Sequence, residues 1–105
     1  LRERRVRFTA TARAHVRRER AWWLQHRDHP EIFAAQLEQA VKILAVLPGA
    51  GNPYPGAGVP GLRRLYLEKL THHLYYTFDD DQVIVRAFWR ARRGRGPILR
   101  SSDST

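Results

Sequence analysis

The sequence predicts a two-layer α+β domain in which a helical hairpin packs on one face of a largely antiparallel sheet. Three observations lead there. Residues 4–9 and three later runs alternate apolar and polar side chains with the period of a strand. Two stretches of helical periodicity lie between the first of these and the rest, separated by His29-Pro30. With 105 residues and 43% hydrophobic side chains, the chain suits one folded domain, expected over 1–99, with a polar tail at 100–105.

Val6 and Phe8 alternate with Arg5 and Arg7, which reads as a short strand with one buried face. Thr9 or Thr11 can cap the helix that follows, because a hydroxyl satisfies an otherwise unpaired backbone N–H. This helix is expected to run to about Arg27, with Ala12, Val16 and Trp23 as its buried stripe and Arg13, Arg17, Arg18 and Arg20 mostly on a solvated face. Adjacent helical residues stand about 100° apart, so only one of Trp22 and Trp23 can occupy the centre of the core. Trp23 fits the stripe, which leaves Trp22 for a loop or a partner. Pro30 suits the first position of a second helix, where its missing N–H costs nothing, and Glu31 complements the positive end of the helix dipole. Phe33, Leu37, Ala40, Val41, Leu44 and Leu47 recur at three- and four-residue steps until Pro48-Gly49 ends the pattern.

Residues 48–61 are rich in glycine and proline and are expected to form a loop without regular structure. Gly49-Ala50-Gly51 is not a phosphate loop, since Pro53 and Pro55 exclude the helix that would have to follow. Strands are expected at 62–67, 72–78 and 83–89, joined by turns at 68–71 and 79–82. In the middle strand Leu74, Tyr76 and Phe78 share one face, with His73, Tyr75 and Thr77 on the other. In the last, Val83, Val85, Ala87 and Trp89 alternate with Ile84, Arg86, Phe88 and Arg90. One sheet face thus offers apolar side chains to the helices, and the second mixes arginines with aromatics.

The formal charge is +9, and 17 of the 19 basic residues are arginine. Such a surface suits nucleic acid, an acidic protein or an anionic membrane, although part of it reflects a general preference for arginine over lysine. The absence of cysteine excludes disulfides, thiol catalysis and thiolate metal sites. No apolar run approaches the ~18 residues of a membrane span. The arginine-rich N-terminal stretch is unlike a signal peptide, so a cytoplasmic protein without a membrane partner is expected. His72 and His73 point to opposite faces of a strand and cannot readily share a metal. His15, His26 and His29 have no ligand set around them, and neither metal nor cofactor is expected. Asp79-Asp80-Asp81 reads as a solvated turn.

Several pieces of this order resemble the RelE/ParE toxins of bacterial type II toxin–antitoxin systems. They are Ala21-Trp22-Trp23, the helix end at Leu44 to Pro48, Pro60-Gly61-Leu62-Arg63-Arg64 and His73-Leu74-Tyr75-Tyr76. The last is the exit Trp89-Arg90-Ala91-Arg92-Arg93-Gly94-Arg95-Gly96-Pro97. The resemblance spans roughly residues 5–99 and implies a β-α-α-β-β-β RelE/ParE-like fold. It also implies a cognate acidic antitoxin that neutralises the toxin in a hetero-oligomer. RelE-like members cut messenger RNA on the ribosome, whereas ParE-like members inhibit DNA gyrase.

For a RelE-like site this chain offers Arg64, His73, Arg86 and Arg92. Metal-free RNA cleavage also needs an acid and a base. Such nucleases commonly complete the site with a C-terminal tyrosine or histidine, yet no Tyr, His, Asp or Glu lies between Trp89 and Arg100. Where many relatives have a histidine, this chain has Arg90. The ParE-like reading, a toxin that binds rather than cuts, is therefore preferred. Arg90, Arg92, Arg93 and Arg95 are its expected target contacts, and Trp22, Tyr66, Tyr75 and Phe88 its antitoxin-facing or open-face aromatics. A basic nucleic-acid-binding module without toxicity is the third reading.

Overall fold

The computed structural model describes residues 2–92 and 96–99. In chain order it contains β1 (Arg5–Phe8), α1 (Ala10–His26), α2 (Glu31–Val46), a 3-10 turn (Pro48–Ala50), β2 (Asn52–Pro53), β3 (Arg63–Leu67), β4 (His72–Phe78) and β5 (Gln82–Arg90). The five strands form one sheet of order β1-β5-β4-β3-β2. β1 runs parallel to β5, and the other pairs are antiparallel. The expected two-layer domain is present, with one addition. Asn52 and Pro53, placed by their composition in a loop, pair with Arg64 and Arg63 as a short edge strand. Proline is tolerated there because an edge strand need not donate on its outer side.

Thr9 starts α1. Its hydroxyl accepts the Ala12 N–H at 3.1 Å and donates to the Arg86 carbonyl at 3.4 Å. Its own N–H donates to Val85 O. One buried threonine therefore caps the helix and ties it to β5 where β1 ends. Beyond that point the edge of β5 has no strand partner among the described residues, and a buried N–H must still be paired. His15 of α1 meets this need, its Nδ1 accepting the Phe88 N–H at 3.2 Å.

The main core lies between the helices and the sheet. Ala12 and Trp23 of α1 and Phe33, Ala40 and Leu44 of α2 meet Leu67, Leu74, Tyr76, Val83, Val85 and Phe88. Trp23 is buried and Trp22 is not, as the helical stripe requires. Phe33 meets the edge of Phe88 at 5.8 Å and 87°, a favoured aromatic geometry.

Phe88 is where the alternation fails. Tyr75 pairs with Ala87 but Tyr76 pairs with Val85, so Arg86 is an extra residue on β5. This bulge turns the remaining strand over by one position. Phe88, expected on the second face, is fully buried beneath the helices. Ala87 and Trp89, expected beneath the helices, lie with Tyr75 on the opposite side.

The turn at 79–82 behaves as its aspartates suggest. Asp79 Oδ1 accepts the N–H groups of Asp81 and Gln82 at 2.8 and 2.9 Å. These hydrogen bonds to the charged form, chiefly the one from Asp81, hold its carboxyl below the usual value. No described helix is long and apolar enough to cross a membrane.

Candidate functional site

The second sheet face is not open. Tyr75, Ala87, Val59 and Leu62 form a buried cluster, with Tyr54, Ala57, Trp89 and Leu99 packed on it. The glycine–proline loop lies over the sheet, and Gly96 and Leu99 lie against the same face. A Cβ added at Gly96 would stand 2.8 Å from Tyr54 Oη and 3.7 Å from Tyr75 Oη. Tyr75 is accordingly only 1% exposed, and Phe88 is buried on the other side. The expectation that these two rings offer themselves to a partner is corrected on both counts. Trp22 and Tyr66 are available, at 36% and 50% exposure.

Arg64 and His73 come close on this face, but the four residues expected to form a nuclease site do not converge. Arg64 lies over the Tyr54 ring at 4.4 Å, with its NH1 3.4 Å from Tyr75 Oη. His73 sits between Tyr66 and Tyr75, with ring separations of 5.2 and 5.9 Å. Its Nδ1 is buried without a hydrogen-bond partner among the described residues. Arg86 instead donates to Thr77 Oγ1 at 3.0 Å. Thr77 is four positions along β4 from His73, or about 13 Å of strand. Arg92 lies on the α1 side of the molecule. Arg93 and Arg95, like the tail at 100–105, fall outside the described residues.

His73 is pushed down to about 4 by burial first, then by the positive charge of Arg64 and the proximity of His72. A neutral imidazole at physiological pH makes a poor general acid. The shift also sets a pH response. The unfolded chain takes up this proton near 6.5 and the folded chain resists it until about 4. The contribution of neutral His73 is therefore fully present above pH 6.5 and declines as pH falls towards 4. Urea unfolding across this range should show declining stability, and His73→Gln should flatten the decline. An unchanged slope in the variant would assign the response to other groups.

A different feature brings arginines and aromatics together. Between α1 and the end of β5 runs a groove of about 790 Å³, lined by Arg18, Glu19, Trp22, Trp89, Arg90 and Arg92. Arg18 lies over Trp89 at 5.6 Å, and His15 packs on the same indole at 5.0 Å. His26 stacks on Trp22 at 4.7 Å and 11°. At the groove wall, Glu19 Oε2 stands 3.4 Å from Nε2 of the buried His72, without hydrogen-bond alignment. The His72 Nδ1–H donates to Leu70 O at 2.6 Å. Arg90 and Arg92 were legible as exposed cations. Arg18 and Trp89 were missed, because their meeting depends on the bulge and on the path of α1.

The profile of the ParE toxin of the type II toxin–antitoxin system parDE matches residues 6–94. The chain belongs to the ParE toxin family. The fold of this ParE-family toxin is similar to that of a chain from the chromosomal ParDE toxin–antitoxin system of P. aeruginosa. That likeness has a TM-score of 0.67 and 19% identity, and covers 86% of this chain and 98% of the other. A sequence comparison with curated proteins finds no match. The match places the chain on the ParE-like side of the RelE/ParE resemblance.

Among the described residues of the toxin, no three His, Asp or Glu side chains come together as a metal site would require. A separate apolar cleft of about 360 Å³ opens on its helical layer, lined by Phe8, Val16, Phe33, Leu37 and Val41, with Arg20 and Glu38 at the rim.

Proposed function

We propose that this toxin arrests growth by binding an essential target, DNA gyrase, and not by cleaving RNA, and that a cognate acidic antitoxin neutralises it. The carrying observation is the state of the second sheet face. Tyr75 is sealed beneath Tyr54 and Leu99, and Arg86 is engaged with Thr77, about 13 Å of strand from His73. Family membership supports a binding toxin, and the exposed Arg90 and Arg92 supply a charged surface for the target. The apolar cleft on the helices suits an amphipathic antitoxin segment, whose burial there would remove exposed apolar area from water. On this reading the protein works in the cytoplasm and is held in a hetero-oligomer until the antitoxin is lost.

Purified toxin should inhibit supercoiling by gyrase, and Arg90→Ala/Arg92→Ala should weaken inhibition by roughly tenfold or more, as expected for charged contacts in an interface. No inhibition at large toxin excess would remove gyrase as the target. Discrete cuts in translated messages, lost in His73→Ala, would instead restore the ribosome-dependent endonuclease.

A further inference from the structure

We propose that the groove between α1 and the end of β5 binds a single nucleic-acid strand, with phosphates on Arg18, Arg90 and Arg92 and bases against Trp22 and Trp89. This does not rest on gyrase being the protein target. The groove continues past Trp22 and Arg90 into a second hollow of about 420 Å³ lined also by Arg27, Lys69 and Asp28. Five cations (Arg18, Arg27, Lys69, Arg90 and Arg92) thus face two carboxylates, Glu19 and Asp28, along one channel. One of these carboxylates, Glu19, stands 3.4 Å from the buried His72 at the groove wall. Among the described residues, neither Arg90 nor Arg92 has a carboxylate within ion-pair distance.

The manner in which the arginines are held points to an oxyanion. Arg18 rests on Trp89, and Arg27 lies 4.9 Å from the Trp22 ring centre. Among the described residues neither Arg18 nor Arg27 donates a side-chain hydrogen bond, so each fork is held near an indole but unspent. Arg18 makes only a 3.9 Å approach to Glu19, too long for a hydrogen bond. Phosphate accepts two parallel N–H bonds from such a fork.

The aromatics then distinguish a nucleic acid from an acidic peptide. Carboxylates would satisfy the arginines and leave the exposed Trp22 without a matching group. A strand supplies a planar base beside each phosphate. A basic groove with interleaved aromatic faces is the arrangement by which single strands are bound without sequence preference. His26, stacked on Trp22, fixes that indole before any ligand arrives, which lowers the entropy lost on binding.

The test uses fluorescence anisotropy with the full chain and labelled oligothymidylate or oligouridylate of about ten nucleotides, the two sugars distinguishing DNA from RNA as the source. Binding should weaken steeply between about 50 and 200 mM salt. Arg90→Ala/Arg92→Ala should weaken it at least about tenfold and reduce the salt slope by roughly 1.4. Trp22→Ala should weaken it roughly fivefold or more. The charge-matched pair Arg5→Ala/Arg20→Ala, outside the groove, should change it less than about threefold. Equal losses in the two double variants would assign binding to diffuse charge and overturn the site. No binding of either oligonucleotide, or tighter binding of oligoglutamate than of both, would also overturn it.

Discussion

Phe88→Ala is expected to lower the unfolding free energy by about 3–5 kcal/mol, among the larger costs of a single core truncation. The ring is fully buried and lies between Phe33, edge-on at 5.8 Å, and His72, stacked at 4.5 Å and 16°. Alanine would remove both contacts and leave a cavity that helix and sheet can close only partly. A domain of this size is stable by only about 5–15 kcal/mol, so a fall in Tm of more than roughly 12 °C should follow. The measurement also separates two roles. A residue facing the antitoxin would leave the free toxin's Tm unchanged and weaken the complex. A Tm within a few degrees of the parent would show that the bulge does not bury this ring.

Gly51→Ala is expected to cost about 2–4 kcal/mol, from overpacking and from hydrogen bonds lost together. The backbone here, φ −79° and ψ 172°, is open to any residue, so the cost is steric and not conformational. An added Cβ would stand 2.5 Å from Arg64 O and 2.7 Å from Tyr76 Oη. Neither can yield cheaply. Arg64 belongs to β3, paired with Asn52, and Tyr76 Oη accepts the Gly51 N–H at 2.9 Å while donating to Pro48 O at 2.6 Å. Moving the tyrosine would strand two buried backbone groups. Gly49→Ala, which would meet nothing within 4 Å, is the matched control and should change stability by no more than about 0.5 kcal/mol. Equal effects at the two positions would show that close approach of the backbone is not what requires glycine at 51.

The two glycines differ by nothing that local sequence can express, and the same holds for much of the candidate site. Thr9 as a cap and Trp23 over Trp22 follow from helical geometry over a few residues and are found where they were expected, whereas Pro30 lies at the N-cap, one position before the first helical residue. The apolar residues within the glycine–proline loop carried a signal that composition hid. Tyr54, Ala57 and Val59 are spaced to cover a surface, and with Leu62 they form the lid on Tyr75. Prolines and glycines shape such a loop without preventing it from packing.

Periodicity, caps and turn residues determine the order of elements and the two layers, because these signals arise from backbone geometry within a turn or a strand. They also carry the family's pattern from β1 to the arginine-rich exit. Which face each aromatic serves was decided only by long-range pairing. One extra residue, Arg86, shifts β5 by a position, and with a period of two that sends Phe88 into the core and Trp89 to the other side. The same shift helps set Trp89 beneath Arg18, so the groove beside α1 exists only in the folded chain.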